Sequence, residues 1–547
     1  MKKVFRNAAA LGLAVVMAVS AAGCGNSTSG SSSASGGKAE ESMIVTTMTT
    51  ESGTLDAAGD ASLWWWTYDG LCCAPMMEMN EDGTWNYILA ESCDVNDDMT
   101  QYTFHIREDA KWNNGDDVTS ADFLNTIVRA LDPTCKNGYS TMLYPIEGAQ
   151  EMYEGTGDES GLGVECPDEK TIFFNLKEPC AYFQQLFVLP VLIPTHRELQ
   201  TETNGAWSMC EDMDALVSCG PYYLDEYVPN QYCIYRRNES YVQADKISTD
   251  AVKVMLMDDT QSIINAYKSG ELNFISADYT VMDEYADSKE LIANPSITCY
   301  YVLFNMEEAP FDDVRVRQAF SMAIDRDEVA QACGSSYEGT SFFVAKHLKS
   351  SASGEDWCDE AGEEPISFDV EKAKELLAEA GYPNGEGFPK VTYKYPSMQL
   401  ESDVAQSLQA QWKENLGIEV ELQAEEQQVQ IDERRSGDFQ ICRMRWTADF
   451  LDPFTYLSMY RSFDSYNDNH TNCPEYDELI ALSNEESDPE ARFDLLHQAE
   501  KILVSDYCWG IPVINSSNIY LMNENISNVE LDPSRNMIRT KYLKINE

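Results

Sequence analysis

Residues 101–107 read Gln-Tyr-Thr-Phe-His-Ile-Arg, with apolar and polar side chains in alternation. A period of two puts Tyr102, Phe104 and Ile106 on one face, which predicts a strand. Similar patterns predict strands at 43–47, 170–176, 251–256, 300–305, 418–422 and 439–446. Other stretches carry the helical period. Residues 119–130 read as a helix with Thr119 or Ser120 as cap, stopped at Leu131-Asp132-Pro133. Residues 260–269 predict a helix ended by Gly270, and 314–324 one with Val316, Ala319, Phe320 and Ala323 on a single face. A helix over 370–380 is closed by Gly381, with Pro383 just beyond. Further helices are predicted over 405–416, 476–483 and 490–504. Strands and helices mix throughout, which argues for an α/β fold. No internal repeat is visible.

The first 24 residues follow neither period. Lys2, Lys3 and Arg6 make a basic start, residues 8–19 are a short apolar run, and Ala21-Ala22-Gly23-Cys24 closes it. The run is shorter than the roughly 20 residues that span a bilayer, and the order is that of an export signal. A cysteine directly after small residues resembles the bacterial lipobox, with Ala21 where leucine is more usual. The motif implies cleavage after residue 23 and a lipid on Cys24. An ordinary cleaved signal with an incidental cysteine is the plainer alternative. Residues 25–37 are almost entirely Gly, Ser, Asn, Thr and Ala, so 24–41 reads as a flexible tether reaching roughly 20 Å. The folded body begins near Ser42.

That body is about 500 residues, enough for two or three domains. The full chain carries net charge -55, and loss of the leader's three basic residues makes it -58. Such a surface repels phosphate backbones and excludes nucleic acid as a partner. With Cys24 set aside, 15 of the 16 cysteines remain. An odd number cannot all pair internally, and none has CxxC spacing, so most read as small buried apolar residues. The pattern suits life without oxygen. The five histidines, His105, His196, His347, His470 and His497, form no HExxH, and no cofactor or metal is implied.

Several motifs then occur in order. Residues 102–115 (Tyr-Thr-Phe-His-Ile-Arg-Glu-Asp-Ala-Lys-Trp-Asn-Asn-Gly) precede Val118-Thr-Ser-Ala-Asp122. Gly161-Leu-Gly-Val164 follows with Asp168 and Thr171, then Pro310-Phe-Asp-Asp-Val-Arg-Val-Arg-Gln-Ala319 with Ala323-Ile-Asp-Arg326. Residues 371–382, Trp446-Thr-Ala-Asp449 with Asp452-Pro453, and Ile511-Pro512 complete the series. Together they resemble the large solute-binding proteins of ABC importers, the peptide/nickel group known as bacterial family 5.

The resemblance implies a bilobal clamp like the periplasmic binding proteins, with a subdomain inserted in the first lobe. It maps the first lobe to 42–70, 183–297 and 511–547, the insertion to 71–182 and the second lobe to 298–510, with a hinge near Thr298 and Gly510. It implies a monomeric, non-enzymatic receptor on the outer face of the cytoplasmic membrane. Its partners would be a short peptide and the permease subunits of an ABC importer, with the membrane held through Cys24.

In similar proteins the peptide lies extended between the lobes as an added strand. By motif match Asp449 meets its α-ammonium; the competing role is a cap for a helix entering at Asp452-Pro453. Arg445-Trp446-Thr447 matches the stretch that pairs with the peptide backbone, faced by Asp60, Ala61 and Ser62. Arg443 and Arg434 match basic positions that meet the ligand carboxylate in some members; the competing role is salt-bridging within an acidic protein. A third such position, histidine in one relative, is Glu401 here. Trp64-Trp65-Trp66 cannot all face one core, and one of them is a candidate to line the cleft. The same fold with a sugar, metal chelate or signalling peptide is the alternative. A surface hydrolase is more remote, since no G-x-S-x-G occurs. A purely adhesive or chaperone role would need no closed cleft.

Overall fold

The computed structural model describes residues 41–48, 56–58, 70–80, 84–135, 137–199, 216–349, 353–464, 466–534 and 537–546. Cys24, the tether, the Asp60–Ser62 stretch and the three consecutive tryptophans lie outside the described residues.

Three sheets organise the body. In the first, Met43–Met48 pairs in parallel with Ala251–Leu256, joining distant parts of the chain. The order continues antiparallel through Tyr232–Arg237 to Tyr222–Val228. The intervening chain builds the second sheet, ordered Ala90–Val95, Gln101–Ile106, Thr171–Asn175, Val164–Asp168. Tyr102, Phe104 and Ile106 are buried, as their alternation requires. The adjacent helix Ser120–Ala130 starts with a capping box, in which Thr119 N donates to the Asp122 carboxylate at 2.9 Å.

The third sheet runs in the order Phe274–Ala277, Gly510–Met522, Leu291–Phe304, Ile441–Thr447, Val391–Pro396, Val420–Glu425. Val302, Phe304 and Ile441 from it are buried with Phe320 and Trp412 of the covering helices Val314–Met322 and Gln399–Leu416. Trp412 Nε1 donates to Phe320 O at 3.0 Å, so the buried indole leaves no orphan donor.

Helix 260–269 and strand 251–256 fall where the pattern puts them. Other boundaries differ for local reasons. The strand expected at 300–305 is the second half of Leu291–Phe304, whose first half is interrupted by Asn294, Pro295 and Ser296. The helix expected from 405 begins at Gln399, because Glu401 is buried and breaks the apolar pattern there. The helix expected to reach 504 ends at Lys501 and widens into the π-helical turn Ile502–Asp506.

The two longest strands do not match residue for residue. Pro295 faces Ser517 and Cys299 faces Asn515, so Ser296, Ile297 and Thr298 bulge opposite Ser516. Polar bonds hold the bulge: Ser296 Oγ donates to Thr298 Oγ1 at 2.8 Å, and Asn515 Nδ2 to Thr298 O at 3.1 Å.

Candidate functional site

The strand Ile441–Thr447 carries most of the expected contact residues. One edge pairs with Leu291–Phe304 throughout, from Ile441 opposite Phe304 to Thr447 opposite Thr298. The other edge pairs with Val391–Pro396 only at Ile441 and Cys442. Among the described residues, no strand covers that edge from Arg443 to Thr447. Gln430 Nε2 takes one of its carbonyls, Arg443 O, at 3.0 Å. Cavities of about 180 Å³ and 520 Å³ flank this segment, and Arg445 lines both.

Alternation divides the roles. Arg445 and Thr447 are exposed and face the larger cavity, where the Thr447 and Thr298 hydroxyls lie 2.8 Å apart. Trp446 points the other way, edge-on to Tyr466 at 4.9 Å, with Nε1 at 3.4 Å from Thr455 Oγ1.

Arg443 and Arg434 are both buried and both ion-paired inside the protein. Arg443 meets Glu401, and Arg434 meets Asp468. Burial raises the Glu401 carboxyl and Arg443 pulls it back; Asp468 is likewise raised by burial and countered first by Arg434. The third basic-site position is therefore a carboxylate that neutralises the first. Arg443 also lies over the Tyr300 ring, 5.1 Å from its centroid.

Asp449 sits in the loop after the strand. Ala448 N donates to Ile297 O at 3.1 Å and Asp449 N to Thr455 Oγ1 at 3.2 Å. At the start of the short helix Phe454–Leu457, whose N-cap is Pro453, Asp452 Oδ1 caps the turn by accepting from Phe454 N at 2.9 Å. Asp449 has no part in that cap. It is half-buried, and burial pushes its carboxyl up to about 7, against hydrogen bonds from Thr455 and the Tyr139 phenol. Among the described residues it has no cationic partner.

Tyr139 was not singled out by the sequence reading. Its backbone N donates to Asn137 Oδ1 at 2.8 Å, and Asn137 Nδ2 holds Ala57 O and Ala58 O at 2.9 and 3.0 Å. Tyr182 also reaches this loop, stacking on Phe450 and Phe454 at 5.1 and 4.5 Å. Nothing in the pattern around 139 or 182 marks these tyrosines, because their partners lie hundreds of positions away.

Among the described residues, a strand edge without a partner strand and a carboxylate without a cationic partner therefore lie side by side in an α/β body. Residues 84–468 match the family described as "Bacterial extracellular solute-binding proteins, family 5 Middle", and the chain belongs to that family. The chain is 29% identical to the dipeptide-binding protein DppE of Bacillus subtilis (strain 168) over 449 residues, 81% of each chain. It is 28% identical to the probable deoxycholate-binding periplasmic protein YgiS of Escherichia coli (strain K12) over 472 residues, 85% of this chain and 86% of that one. The crystal structure of a periplasmic oligopeptide-binding protein from Borrelia burgdorferi superposes with TM-score 0.76 at 27% identity, covering 92% of this chain and 100% of that one. The architecture is the bilobal periplasmic-binding fold, and the family is one of ABC-transport binding proteins rather than enzymes.

Proposed function

We propose that this protein captures short peptides between its two lobes and hands them to an ABC importer, held at the membrane by a lipid on Cys24. The peptide would add as a strand to the uncovered edge of Arg443–Thr447, with its α-ammonium on Asp449. Asp449 carries this reading. A carboxylate sheltered from water without a cation is costly to ionise, and a ligand ammonium supplies the missing charge. The bulge of Ser296–Thr298 opposite Ser516 supports a hinge where the expected first and second lobes meet, since bulged pairing bends more readily than a full ladder. The expected division into 42–70, 183–297 and 511–547, an insertion 71–182 and a second lobe 298–510 is kept on this basis.

Calorimetry of the full chain against di- to pentapeptides tests the anchor. Asp449→Ala should weaken binding at least tenfold with the fold intact, and unchanged affinity sinks the assignment. Membrane fractionation of Cys24→Ser tests the lipid: release is expected, and retention refutes it. A second reading keeps the site and changes the ligand. It is favoured by the likeness to YgiS, whose name gives a bile acid as its ligand. Deoxycholate has no ammonium, so an affinity indifferent to Asp449→Ala would support it.

A further inference from the structure

The larger cavity reverses the charge of the protein around it. The chain has 93 acidic and 38 basic residues, yet the described residues lining this cavity include no Asp or Glu and three cations. Two of the cations are neutralised within the protein. Lys541 Nζ lies 2.7 Å from the Glu78 carboxylate, and Arg539 sits between Glu78 at 3.9 Å and Asp532 at 3.7 Å. The third, Arg445, has no ion pair among the described residues. Its guanidinium meets the Tyr300 hydroxyl at 3.4 Å. Glu401, the carboxylate that acts on it, is already bonded to Arg443, so two guanidiniums share one negative charge.

The neighbouring arginines sharpen the contrast. Arg443 and Arg434 on the same strand and an adjacent helix each have a carboxylate of their own. Those two were the expected partners for a ligand carboxylate, and both are already occupied. Arg445 is exposed, and the hydroxyls of Thr447 and Thr298 sit along the same wall of the cavity. One of these hydroxyls donates to the other, which leaves one hydroxyl hydrogen free, and a guanidinium with a hydroxyl donor beside it matches a carboxylate in both charge and hydrogen-bond geometry.

We propose that Arg445 is the counter-charge for a carboxylate of the bound ligand and makes this cavity selective for peptides that carry one. The inference rests on the peptide reading. Arg445 precedes Asp449 by four residues, at most about 14 Å along extended chain. A peptide anchored at Asp449 would bring its third or fourth residue to that point. The carboxylate there is either the C-terminus of a short peptide or an acidic side chain.

Calorimetry of the full chain with three tetrapeptides separates the sources: Ala-Ala-Glu-Ala as free acid, the same peptide amidated at its C-terminus, and its glutamine counterpart as free acid. Loss of the recognised carboxylate should weaken wild-type binding about tenfold to a hundredfold. Whichever arm falls identifies the source. In Arg445→Gln the arms should become equal, and Arg445→Lys should restore part of the difference because it keeps the charge without the fork. Equal arms in the wild type overturn the proposal, as does a difference that survives undiminished in Arg445→Gln. The wild-type arms decide the carboxylate even where a variant folds poorly. Binding of none of the three peptides overturns the peptide reading together with this one, an outcome distinct from equal binding.

Discussion

Asp452 and Arg492 form a two-pronged ion pair, both bonds 2.8 Å, with each side chain 3% exposed. Arg492 Nε also donates to Ser483 O at 3.0 Å, which ties the pair to a neighbouring helix. Asp452 thus joins the helices Pro474–Glu485 and Pro489–Lys501 to the loop that carries Asp449, three residues upstream. The motif Asp452-Pro453 braces this loop, and neither residue is among the described residues lining the two cavities.

Asp452→Ala should therefore do two things. It leaves a buried guanidinium unpaired, costing about 3–5 kcal/mol in urea unfolding. It should also weaken peptide binding, although Asp452 is not among the described residues lining either cavity. Full affinity in a folded Asp452→Ala protein would show that the loop holds itself.

Glu401 and Arg443 offer a double-mutant test. Glu401→Ala alone strands Arg443 and should cost about 3–5 kcal/mol. Removing both charges, as Glu401→Leu with Arg443→Met, should recover most of that loss, because the pair is buried. Additive costs would mean that the two groups do not depend on each other. Peptide affinity should fall less than twofold in the double variant if Arg443 serves only Glu401.

The Asp449 carboxyl, raised to about 7 by burial, sets a pH dependence for capture. The bound pair needs an ionised Asp449 and a protonated amine, whose ordinary value is about 8. Affinity should peak between these values and fall on both sides, roughly 50-fold between pH 7 and pH 5. Asp449→Asn should flatten the acid limb and leave the alkaline one. Calorimetric titrations across this range check it, and an acid limb persisting in the variant would assign it elsewhere.

Glu500, on the helix Pro489–Lys501, is another buried carboxyl. It accepts from Phe343 N, Val344 N and Trp357 Nε1 at 2.7–2.8 Å, and burial outweighs these donors, raising it to about 7. The unfolded chain releases this proton near 4.5, so the folded state gains relative stability at low pH. That contribution is full below about 4.5 and is lost as pH rises through 7, on the order of 3 kcal/mol in total. The difference in unfolding free energy between wild type and Glu500→Gln should shift by this amount between pH 4.5 and pH 8. A constant difference would place the titration in another group.

Local patterns in the chain determined a good deal. Alternation at 101–107 and 251–256, and the closing Gly270 and Gly381, placed elements whose signal lies within a few residues, because backbone geometry and one-sided burial act at that range. The ordered motifs from Tyr102 to Pro512 identified the family, and the offset of Trp446 from Asp449 marked the loop after the strand Ile441–Thr447. What the tertiary structure decided are pairings between distant segments. Met43–Met48 lies beside Ala251–Leu256, Glu401 on Arg443 and Asp468 on Arg434. Sequence type alone left both arginines equally suited to a ligand carboxylate or an internal one. Only the fold shows that each of them has a carboxylate of its own while Arg445 has no ion pair among the described residues, because charge compensation depends on distances of a few ångströms that spacing along the chain does not encode.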